Sequence, residues 1–525
     1  MNSRAESLPG DQPPAPPGEE EQLALPGLLA RVRPLLAQQP TPVYLVGGAV
    51  RDALLGLPSH DLDFVVAEGA IPLAFAVGDA LGAPAFAMDR ERDIGRVVLA
   101  DGASTLDFAR FRAPDLEGDL RSRDFTLNAM ALPVAAEAPD VEALIDPTGG
   151  MADLRVGLVR ITHEGAIADD PLRTLRALRV AARFGFVLTP ETARAVEAAA
   201  SDLANISPER VRDELLKLLA TSAPGRSGAA AWGMRRMADL ALLPVVLPEI
   251  AALAGVEQSA PHHEAVLAHS FSVLDWLPRV EAAALGEAED NSFGGGPLAQ
   301  VGPALAPYRE ELQAHLARDI VGETDGRALL RLAALFHDAG KAETQKVEAD
   351  GRIRFFGHDE VGARIAARRL RALRFSTQAI RYVASAVAGH MRPLFLNQAG
   401  QVSRRAAFRF FRDTGAAGLD IGLISLADHL ATHDGPGAPG EWEGLVEVVA
   451  RLYHNYFDAY EEAIAPPPLV DGNQLMRALE LEPGPEVGRL LRLLEEAQAA
   501  GDVTTEEEAL ALARWHHRPR QHHDC

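Results

Sequence analysis

The sequence is poor in cysteine: among its 525 residues the only one is Cys525. A single thiol excludes an internal disulfide framework and favours a reducing compartment such as the cytoplasm. The chain also lacks an apolar run of the roughly 18 residues that a membrane-spanning helix needs, and it lacks the basic start and apolar stretch of a secretory signal. We therefore expect a soluble, cytoplasmic protein with no membrane partner.

Basic residues are also scarce, with 51 lysines and arginines against 74 aspartates and glutamates and a formal net charge of −23. This balance excludes nucleic-acid binding over the whole surface, because phosphate contacts require lysine and arginine. Arginines do cluster in residues 173–183, 364–374 and 404–412. Such strips indicate either local RNA binding or ordinary solvated helix faces. The length predicts three or four domains of about 150 residues each.

The stretch that carries the most chemistry is residues 45–64, LVGGAVRDALLGLPSHDLDF. A short apolar strand pattern ends at Gly47 and Gly48, where a helical pattern begins. Backbone amides at such a turn approach phosphate oxygens closely, because glycine has no Cβ and a helix N-terminus favours anions. Asp61 and Asp63 follow on a second strand pattern, so their carboxylates point to one face and can bind metal ions together. The stretch therefore predicts a nucleotide site with bound metal.

At this spacing the glycine pair, V-R-D, a short helix ending in L-G and D-x-D resemble the signature of the class II nucleotidyltransferases. These are tRNA nucleotidyltransferases and bacterial poly(A) polymerases. The resemblance implies nucleotide binding by Gly47, Gly48 and Arg51, and Mg²⁺ binding and catalysis by Asp61 and Asp63. It also makes Asp107, in STLDFAR, the third catalytic carboxylate, which positions or deprotonates the attacking hydroxyl. Without the resemblance, Asp107 is better interpreted as a surface aspartate at a strand end.

A second motif, RSRDFTLNAMAL at residues 121–132, is similar to the family's RRDFTxNA motif, with Ser122 in place of the first arginine. The resemblance implies that Arg123 and Asp124 recognise ribose and phosphate and that Asn128 supports them. Taken alone, Arg123 and Asp124 could form an ordinary ion pair at a helix start.

A third motif, DDPLRTLRALRVAARFGF at residues 169–186, resembles the family's EDxxR motif and the helix that follows it. In this family an aspartate and an arginine at these positions pair with the Watson–Crick edge of the incoming base, so that protein replaces a template. The corresponding residues are Asp170 and Arg173, whose carboxylate and guanidinium groups complement the acceptors and donors of a base edge. Arg176 and Arg179 fall near the same helical face and could reach the triphosphate.

The second half of the chain carries a histidine–aspartate pair in LAALFHDAGK, a histidine upstream in LAHSFSVL and an aspartate downstream in SLADHLA. This ordered set resembles the HD phosphohydrolase superfamily. The resemblance implies that a divalent metal ion is bound by His269, His337, Asp338 and Asp428, with His358 and His390 as further candidate ligands. Such sites activate a bound water for phosphoester hydrolysis. The alternative is a structural helical domain with a vestigial site.

Two features bear on which member of the nucleotidyltransferase family this is. Residues 92–102, RDIGRVVLADG, lack the GRRF-type element of bacterial poly(A) polymerases. The interval between Asp107 and Arg123 is short, whereas enzymes that add the full CCA usually have a flexible loop there. We therefore expect a template-independent tRNA nucleotidyltransferase that adds C (CC) or CCA to tRNA 3′ ends from CTP and, for CCA, ATP, by two-metal transfer.

Three alternatives stay open at this point. The first is an A-adding enzyme or a bacterial poly(A) polymerase. The second is an HD metal phosphohydrolase whose head senses nucleotides. The third, a non-catalytic RNA-binding module, is disfavoured by the intact set of carboxylates.

The predicted fold class is α+β, with an N-terminal mixed-sheet head followed by an all-helical neck, an HD body and a C-terminal helical region. Strand patterns at residues 95–99 and 105–109 and a helical pattern at 72–81 belong to the head. The predicted domains are a disordered lead-in (1–20), the head (21–155), a helical neck that binds nucleotide and RNA (156–255), the HD domain (256–435) with an exposed insertion at about 286–307, and a C-terminal helical region with tail (436–525).

Overall fold

The computed structural model describes residues 27–59, 61–102, 104–135, 141–221, 228–287, 296–319 and 325–517. They form two compact units, one within residues 1–229 and 235–246 and the other within residues 230–234 and 247–525. The predicted lead-in, residues 1–20, lies outside the described residues. A search of the described helices finds none with the length and apolar character needed to cross a membrane.

The first unit is built on a six-stranded mixed sheet. Its strands are β1 (Tyr44–Val46), β2 (Asp61–Val66), β3 (Ala85–Asp89), β4 (Ile94–Val98), β5 (Thr105–Arg110) and β6 (Ala131–Pro133). They lie in the order β3-β4-β5-β2-β1-β6. β2 and β5 run parallel, although β3 and β4 separate them in sequence, and the other neighbouring pairs are antiparallel. The predicted mixed-sheet head is confirmed.

Helices surround this sheet and continue beyond it. They are α1 (Gly27–Leu36), α2 (Gly48–Leu54), α3 (Ala70–Leu81), α4 (Leu116–Arg121), α5 (Gly150–Val156), α6 (Ala166–Asp169), α7 (Arg173–Phe184), α8 (Pro190–Ala198), α9 (Pro208–Leu219), α10 (Ala229–Asp239) and α11 (Leu243–Val246). A parallel pair of short strands, β7 (Leu158–Val159) and β8 (Val187–Leu188), lies between them in sequence. After β6 the unit is therefore mostly helical, and the neck that was predicted to be all-helical contains in addition the β7–β8 pair.

Helices cover the two faces of the six-stranded sheet to different extents. On one face Phe64 and Phe108 stack with ring centroids 5.1 Å apart. α3 packs on this face so closely that a Cβ on Gly95 would lie 2.6 Å from the Cβ of Ala74. The opposite face carries the alternate residues of β2 and β5, which include the predicted carboxylates. α4 packs on only part of that face, around the apolar cluster that contains Val46.

In its described residues the second unit is helical apart from one antiparallel strand pair, β9 (Gln345–Val347) and β10 (Ile353–Phe355). Its helices are α12 (Pro248–Ala251), α13 (Val266–Leu285), α14 (Val301–Leu305), α15 (Arg309–Ala317), α16 (Gly326–Phe336), α17 (Lys341–Thr344), α18 (His358–Ala372), α19 (Thr377–Gly389), α20 (Arg392–Gln398), α21 (Arg404–Thr414), α22 (Ala417–His433), α23 (Glu441–Phe457), α24 (Gly472–Leu479), α25 (Pro485–Ala500) and α26 (Glu506–His517). α13, α16, α19 and α22 pack against one another, and α24, α25 and α26 share an apolar cluster of their own.

The insertion predicted to be exposed in the second unit is only partly exposed among the residues that the structure describes. The stretch at 286–307 was expected to be exposed, but Leu298, Val301 and Leu305 are buried, and α14 packs against α13 and α23. Glycine and proline in this stretch hid an apolar spacing of three and four residues, which is the spacing of a buried helix face. Residues 288–295 of the predicted insertion lie outside the described residues.

Candidate active site and candidate metal centre

Three carboxylates lie side by side on β2 and β5. In the parallel register Asp63 lies opposite Asp107, and Asp61 lies opposite Thr105, whose hydroxyl donates a 2.7 Å hydrogen bond to Asp61. Asp63 has accessible surface, yet protein atoms crowded around its carboxyl group, and then the charge of Asp107, raise its pKa to about 6. Clustered oxygen donors on rigid strands fit a divalent cation, which would relieve their mutual repulsion.

Sequence reasoning missed Arg96, which holds Asp107. Arg96 lies on β4, opposite Asp107 in the antiparallel register, and it donates two hydrogen bonds of 2.7 Å to the two carboxylate oxygens. A bidentate pair of this kind fixes the plane of the carboxylate. In the sequence, Arg96 alternates with Gly95 and Val97, which are buried in the structure. This alternation places Arg96 on the other face of β4, but it indicates a contact with Asp107 only when β4 is known to lie beside β5.

The predicted glycine turn lies directly against the carboxylates. Gly47 has φ +76°, and a Cβ at this position would lie 3.3 Å from Asp63 Oδ2 and 3.6 Å from Arg123 Nη1. α2 begins at Gly48, where a Cβ would lie 3.3 Å from Arg51 Nη2. Glycine is therefore required at Gly47 by its backbone conformation, and the lack of a side chain lets the backbone approach the site closely.

Arg51 is buried and its guanidinium group is engaged within the fold. It donates hydrogen bonds of 2.9 and 2.7 Å to Asp52 and one of 2.6 Å to the side-chain oxygen of Asn128. Its guanidinium carbon also lies 4.6 Å from the centroid of the Phe184 ring. Burial lowers the pKa of Arg51 against the opposing effect of Asp52. These contacts hold Asn128 in place, so in this structure Arg51 acts on the site through Asn128.

Asp124 is buried at the centre of a second group of contacts. It accepts hydrogen bonds of 3.1 Å from Asn128 and from Arg176, and one of 2.8 Å from the amide of Phe125. Burial alone would raise the pKa of Asp124, but Arg176 and Asn128 hold it below its usual range. Asp124 is therefore a fixed negative charge that Arg176 and Asn128 hold in place.

Arg123 and Arg179 are each held by a buried acidic residue that the sequence did not single out. Arg123 donates hydrogen bonds of 2.9 and 3.2 Å to Asp119. Arg179 donates one of 2.7 Å to Glu214 on α9, which is also 3.7 Å from Arg176. Burial would raise the pKa of Glu214, but Arg179 keeps it low. Arg176 and Arg179 therefore cross-link α7 to its surroundings in this structure.

Asp170 and Arg173, the residues predicted to bind the base edge, bond to other groups rather than to each other. Asp170 accepts a 2.8 Å hydrogen bond from Arg210 on α9 rather than from Arg173. Arg173 is buried and donates a 2.8 Å hydrogen bond to the carbonyl oxygen of Ala166. Its Nε has no hydrogen-bond partner among the described residues. A buried donor without a partner costs free energy, so this atom is poised for an acceptor that comes with a ligand.

The interval between β5 and α4 is a compact turn. Asp115 caps α4 and accepts a 2.8 Å hydrogen bond from the amide of Gly118. A Cβ on Gly118 would lie 2.7 Å from the Cβ of Ala113, so the turn folds tightly on itself. Phe111 and Leu116 pack against the apolar cluster under α4. The short segment predicted between Asp107 and Arg123 is therefore a packed, capped turn.

In the second unit, the six predicted metal-binding residues lie in one cluster. Two sets share Asp338, and within each set the candidate ligand atoms lie within 4.8 Å of one another: His269, His337 and Asp338, and Asp338, His358 and His390. Asp428 lies 2.9 Å from His269 Nε2. These side chains come from α13, α18, α22 and the residues that follow α16 and α19.

Backbone carbonyls orient three of the histidines. The Nδ1 atoms of His337, His358 and His390 lie 2.7, 2.8 and 2.7 Å from carbonyl oxygens three residues earlier in the chain. A proton on each Nδ1 leaves the Nε2 lone pair free, which is the arrangement that metal-binding histidines use. His337 Nε2 is buried and has no hydrogen-bond partner in the described part of the chain. The donor set therefore fits a divalent cation.

Charges in the cluster favour metal binding. Burial, and then the neighbouring His337 and His358, lowers the pKa of His390 to about 4, so its imidazole is neutral at physiological pH. Burial would raise the pKa of Asp338, but His337 and Lys341 hold it well below its usual range. Burial would lower the pKa of His337, but Asp338 raises it, so a metal ion that binds His337 displaces a proton from it, whereas His390 is already neutral.

The residues after the histidine–aspartate pair have clear structural roles. A Cβ on Gly340 would lie 2.0 Å from the carbonyl oxygen of His358, so glycine is needed where α18 begins. Lys341 Nζ lies 2.7 Å from Asp338 and 2.9 Å from Gln258. Sequence reasoning also missed His262, whose ring centroid lies 5.0 Å from that of His269.

Models of known families match successive segments of the chain, and these segments agree with the positions of the motifs. The model of the poly A polymerase head domain matches residues 43–160, and that of a probable RNA- and SrmB-binding site of polymerase A matches residues 185–253. The HD domain model matches residues 312–432. A model described as a putative second domain of tRNA nucleotidyltransferase matches residues 466–513.

Individual relatives resemble the chain over almost its whole length. An A-adding tRNA nucleotidyltransferase of Deinococcus radiodurans is 35% identical over 92% of this chain and 98% of its own length. A CC-adding tRNA nucleotidyltransferase of Thermus thermophilus is 35% identical over 90% of this chain and 93% of its own length. A solved complex of a CCA-adding enzyme with CTP has a TM-score of 0.58 at 21% identity and covers 94% of this chain and 97% of its own, which indicates a shared fold.

Proposed function

Because this chain belongs to the family of tRNA nucleotidyltransferases and poly(A) polymerases, we propose that it extends the 3′ end of tRNA from nucleoside triphosphates without a template. The observation that carries the proposal is the row of Asp61, Asp63 and Asp107 beside the Gly47 turn. The single thiol of the chain fits a reducing cytoplasm as the place of this reaction.

In the proposed reaction the 3′-hydroxyl oxygen of tRNA attacks the α-phosphorus of the triphosphate. A bond forms between these two atoms, the bond from the α-phosphorus to the β-phosphate oxygen breaks, and pyrophosphate leaves. Asp61 and Asp63 would bind Mg²⁺, which when bound would stabilise charge on the attacking and leaving oxygens. Asp107, fixed by Arg96, orients the attacking hydroxyl or accepts its proton.

The nucleotide pocket follows from the residues around this row. We propose that the backbone of Gly47 and Gly48 approaches the triphosphate and that Arg123 and Asp124 recognise ribose and phosphate. Arg51 and Asn128 support them through the hydrogen bond between them. Asp170, in the turn before α7, and Arg173, on α7, bind the base edge. Arg176 and Arg179 act on the pocket through their ion pairs with Asp124 and Glu214.

We further propose that cytidine is the nucleotide added. The turn between β5 and α4 is capped and packed, so it lacks the freedom to reorder the pocket for a change from CTP to ATP. Addition of adenosine is the second candidate, because the relative from D. radiodurans carries that activity in its name.

Two tRNA acceptors distinguish these candidates. One lacks its three 3′-terminal nucleotides and the other ends in the two cytidines. Each is incubated with the protein, Mg²⁺ and one labelled triphosphate at a time, and the added nucleotides are counted on a sequencing gel. Cytidine specificity requires two C on the first acceptor and no A on the second, whereas one A on the second acceptor alone identifies an A-adding enzyme. A long adenosine tail would contradict the proposal.

We also propose that the cluster around Asp338 binds a divalent metal ion and hydrolyses phosphoesters. His269, His337, Asp338 and Asp428 would bind the ion, with His358 and His390 as further ligands. The ion supplies an activated water for attack on phosphorus. Support comes from the converging imidazoles, the neutral state of His390 and His337 Nε2, which makes no hydrogen bond within the described part of the chain and lies 3.2 Å from Asp338.

A further inference from the structure

An exposed phenyl ring lies on the same face of the sheet as the catalytic carboxylates. It belongs to Phe86 on β3, which is 50% exposed; Met88, where the β3–β4 register shifts, is 55% exposed. β3 is an edge strand of the six-stranded sheet, and neighbouring exposed apolar side chains on an edge strand form a surface on which another molecule can pack. Neither residue takes part in the reaction as described above.

The register fixes the position of Phe86. It lies opposite Arg96 on β4, Arg96 lies opposite Asp107 on β5, and Asp107 lies opposite Asp63 on β2. Residues directly opposite across neighbouring strands share a face. The four side chains therefore form one row across the sheet, from the exposed phenyl ring to the metal-binding carboxylate.

The carboxylates have different neighbours toward the two edges of the sheet. On the side of β1 lie the Gly47 turn and Arg123, where the triphosphate is proposed to bind. On the other side lie β4 and β3, with Arg96 and then Phe86. Nucleotide transfer needs two substrates at the same carboxylates, the triphosphate and the 3′ end of the acceptor strand. The β4–β3 side is the one that the triphosphate leaves free.

We propose that Phe86 stacks against a base near the 3′ end of the acceptor RNA, with Met88 extending the apolar platform. This inference rests on the proposed nucleotidyl transfer. Strands lie about 4.8 Å apart, so Phe86 is about 10 Å from Asp107. Stacked nucleotides rise by about 3.4 Å each, so the base concerned is within about three nucleotides of the reacting end.

Stacking suits a chain with this charge. With a formal net charge of −23, most of the surface repels phosphate, whereas base–aromatic stacking does not depend on charge and tolerates any base. One cation is still near: Arg90 follows the platform in the β3–β4 turn, is exposed, and has no ion-pair partner in the part of the chain that the structure describes. Arg90 is available to a phosphate of the stacked strand.

The test compares Phe86 variants with a matched control in steady-state addition to tRNA that lacks its three 3′-terminal nucleotides. Phe86→Ala is expected to raise the KM for tRNA by about 5- to 150-fold, the loss of one stacked base, and to leave the KM for the triphosphate unchanged. Phe86→Trp is expected to retain the tRNA KM, and Phe86→Leu to raise it. Phe75→Ala is the control, since Phe75 is 44% exposed but lies on α3, on the other side of the sheet.

The outcomes separate this inference from the proposed function. If the wild-type chain adds nothing to tRNA, the proposed function fails. If it adds nucleotides and Phe86→Ala leaves the tRNA KM unchanged, or Phe86→Leu behaves like the wild type, the stacking inference is wrong. A change in the oligomeric state of Phe86→Ala would also overturn it, because the patch would then be a contact between copies.

An abasic substrate identifies the base. Acceptor RNAs with an abasic nucleotide at each of the last three positions are compared with the intact RNA. If the missing base is the stacked one, the abasic RNA is expected to bind the wild type as weakly as the intact RNA binds Phe86→Ala. Combining the abasic RNA with Phe86→Ala is then expected to lower the affinity no further. Additive losses at every position would contradict the inference.

Discussion

Replacing Asp61 and Asp63 together by alanine is expected to abolish nucleotide addition. The two carboxylates share one face of β2 beside Asp107, and without them the site loses the oxygen donors for Mg²⁺. A loss of about 4 kcal/mol of charge stabilisation in the transition state corresponds to a rate about 10³-fold lower. The measurement is the initial rate of labelled CTP incorporation into tRNA.

The fold is expected to survive this double substitution. Among the described residues the Asp61 side chain accepts one hydrogen bond, from Thr105. Removal of two like charges beside Asp107 relieves repulsion, which contributes to the raised pKa of Asp63. Thermal unfolding should therefore be unchanged. Asp79→Ala, an exposed aspartate on α3, is the control and should add nucleotides at the wild-type rate. Incorporation by the double variant would show that these carboxylates are not the catalytic ones.

Replacing His337 by glutamine is expected to remove metal from the second unit without affecting nucleotide addition. His337 Nε2 lies 3.2 Å from Asp338 Oδ2, but neither atom makes a hydrogen bond among the described residues, so an ion that binds both would satisfy them. Loss of an outer-shell partner alone lowers metal affinity by about 10- to 100-fold, so loss of this ligand should lower it by at least about 100-fold. Titration calorimetry with Mn²⁺ and hydrolysis of a simple phosphodiester give the two readouts.

An exposed histidine in the same unit provides the control for this variant. His454 pairs with Asp458 on the surface, and His454→Gln should leave Mn²⁺ affinity and hydrolysis unchanged. Wild-type Mn²⁺ affinity in His337→Gln would contradict the assignment of the metal centre. A parallel loss of CTP incorporation would show that the second unit is needed for nucleotide addition, against the separate roles proposed above.

Local patterns in the sequence predicted the centre of the head. The glycine turn, the second strand and the position of Asp107 all followed from residues close together in the chain or from the family motif. Arg96 lies opposite Asp107 through the register of the β4–β5 pair, which the strand pattern alone does not fix. Glu214 was missed because it lies 35 residues from Arg179 in sequence. Asp119 is only four residues from Arg123 but lies just outside the motif that contains it.

Other elements were missed because their patterns are weak. β3 has the sequence AFAMD, in which apolar residues occupy both faces, so it lacks the alternation that marks a half-buried strand. β6 has three residues and ends at Pro133, and such short strands depend on their neighbours for pairing. The base-reading pair shows a further limit, since Asp170 bonds to Arg210 rather than to Arg173, and Arg210 lies 40 residues away in sequence.

The measurement that tests the central claim most directly is the product released from CTP labelled in its γ-phosphate, with tRNA that lacks its three 3′-terminal nucleotides and Mg²⁺. Transfer at the carboxylate row releases pyrophosphate, one for each cytidine added, only when tRNA is present, and equally in wild type and His337→Gln. Release of inorganic phosphate without tRNA extension, lost in His337→Gln and kept when Asp61 and Asp63 are replaced by alanine, would contradict the account.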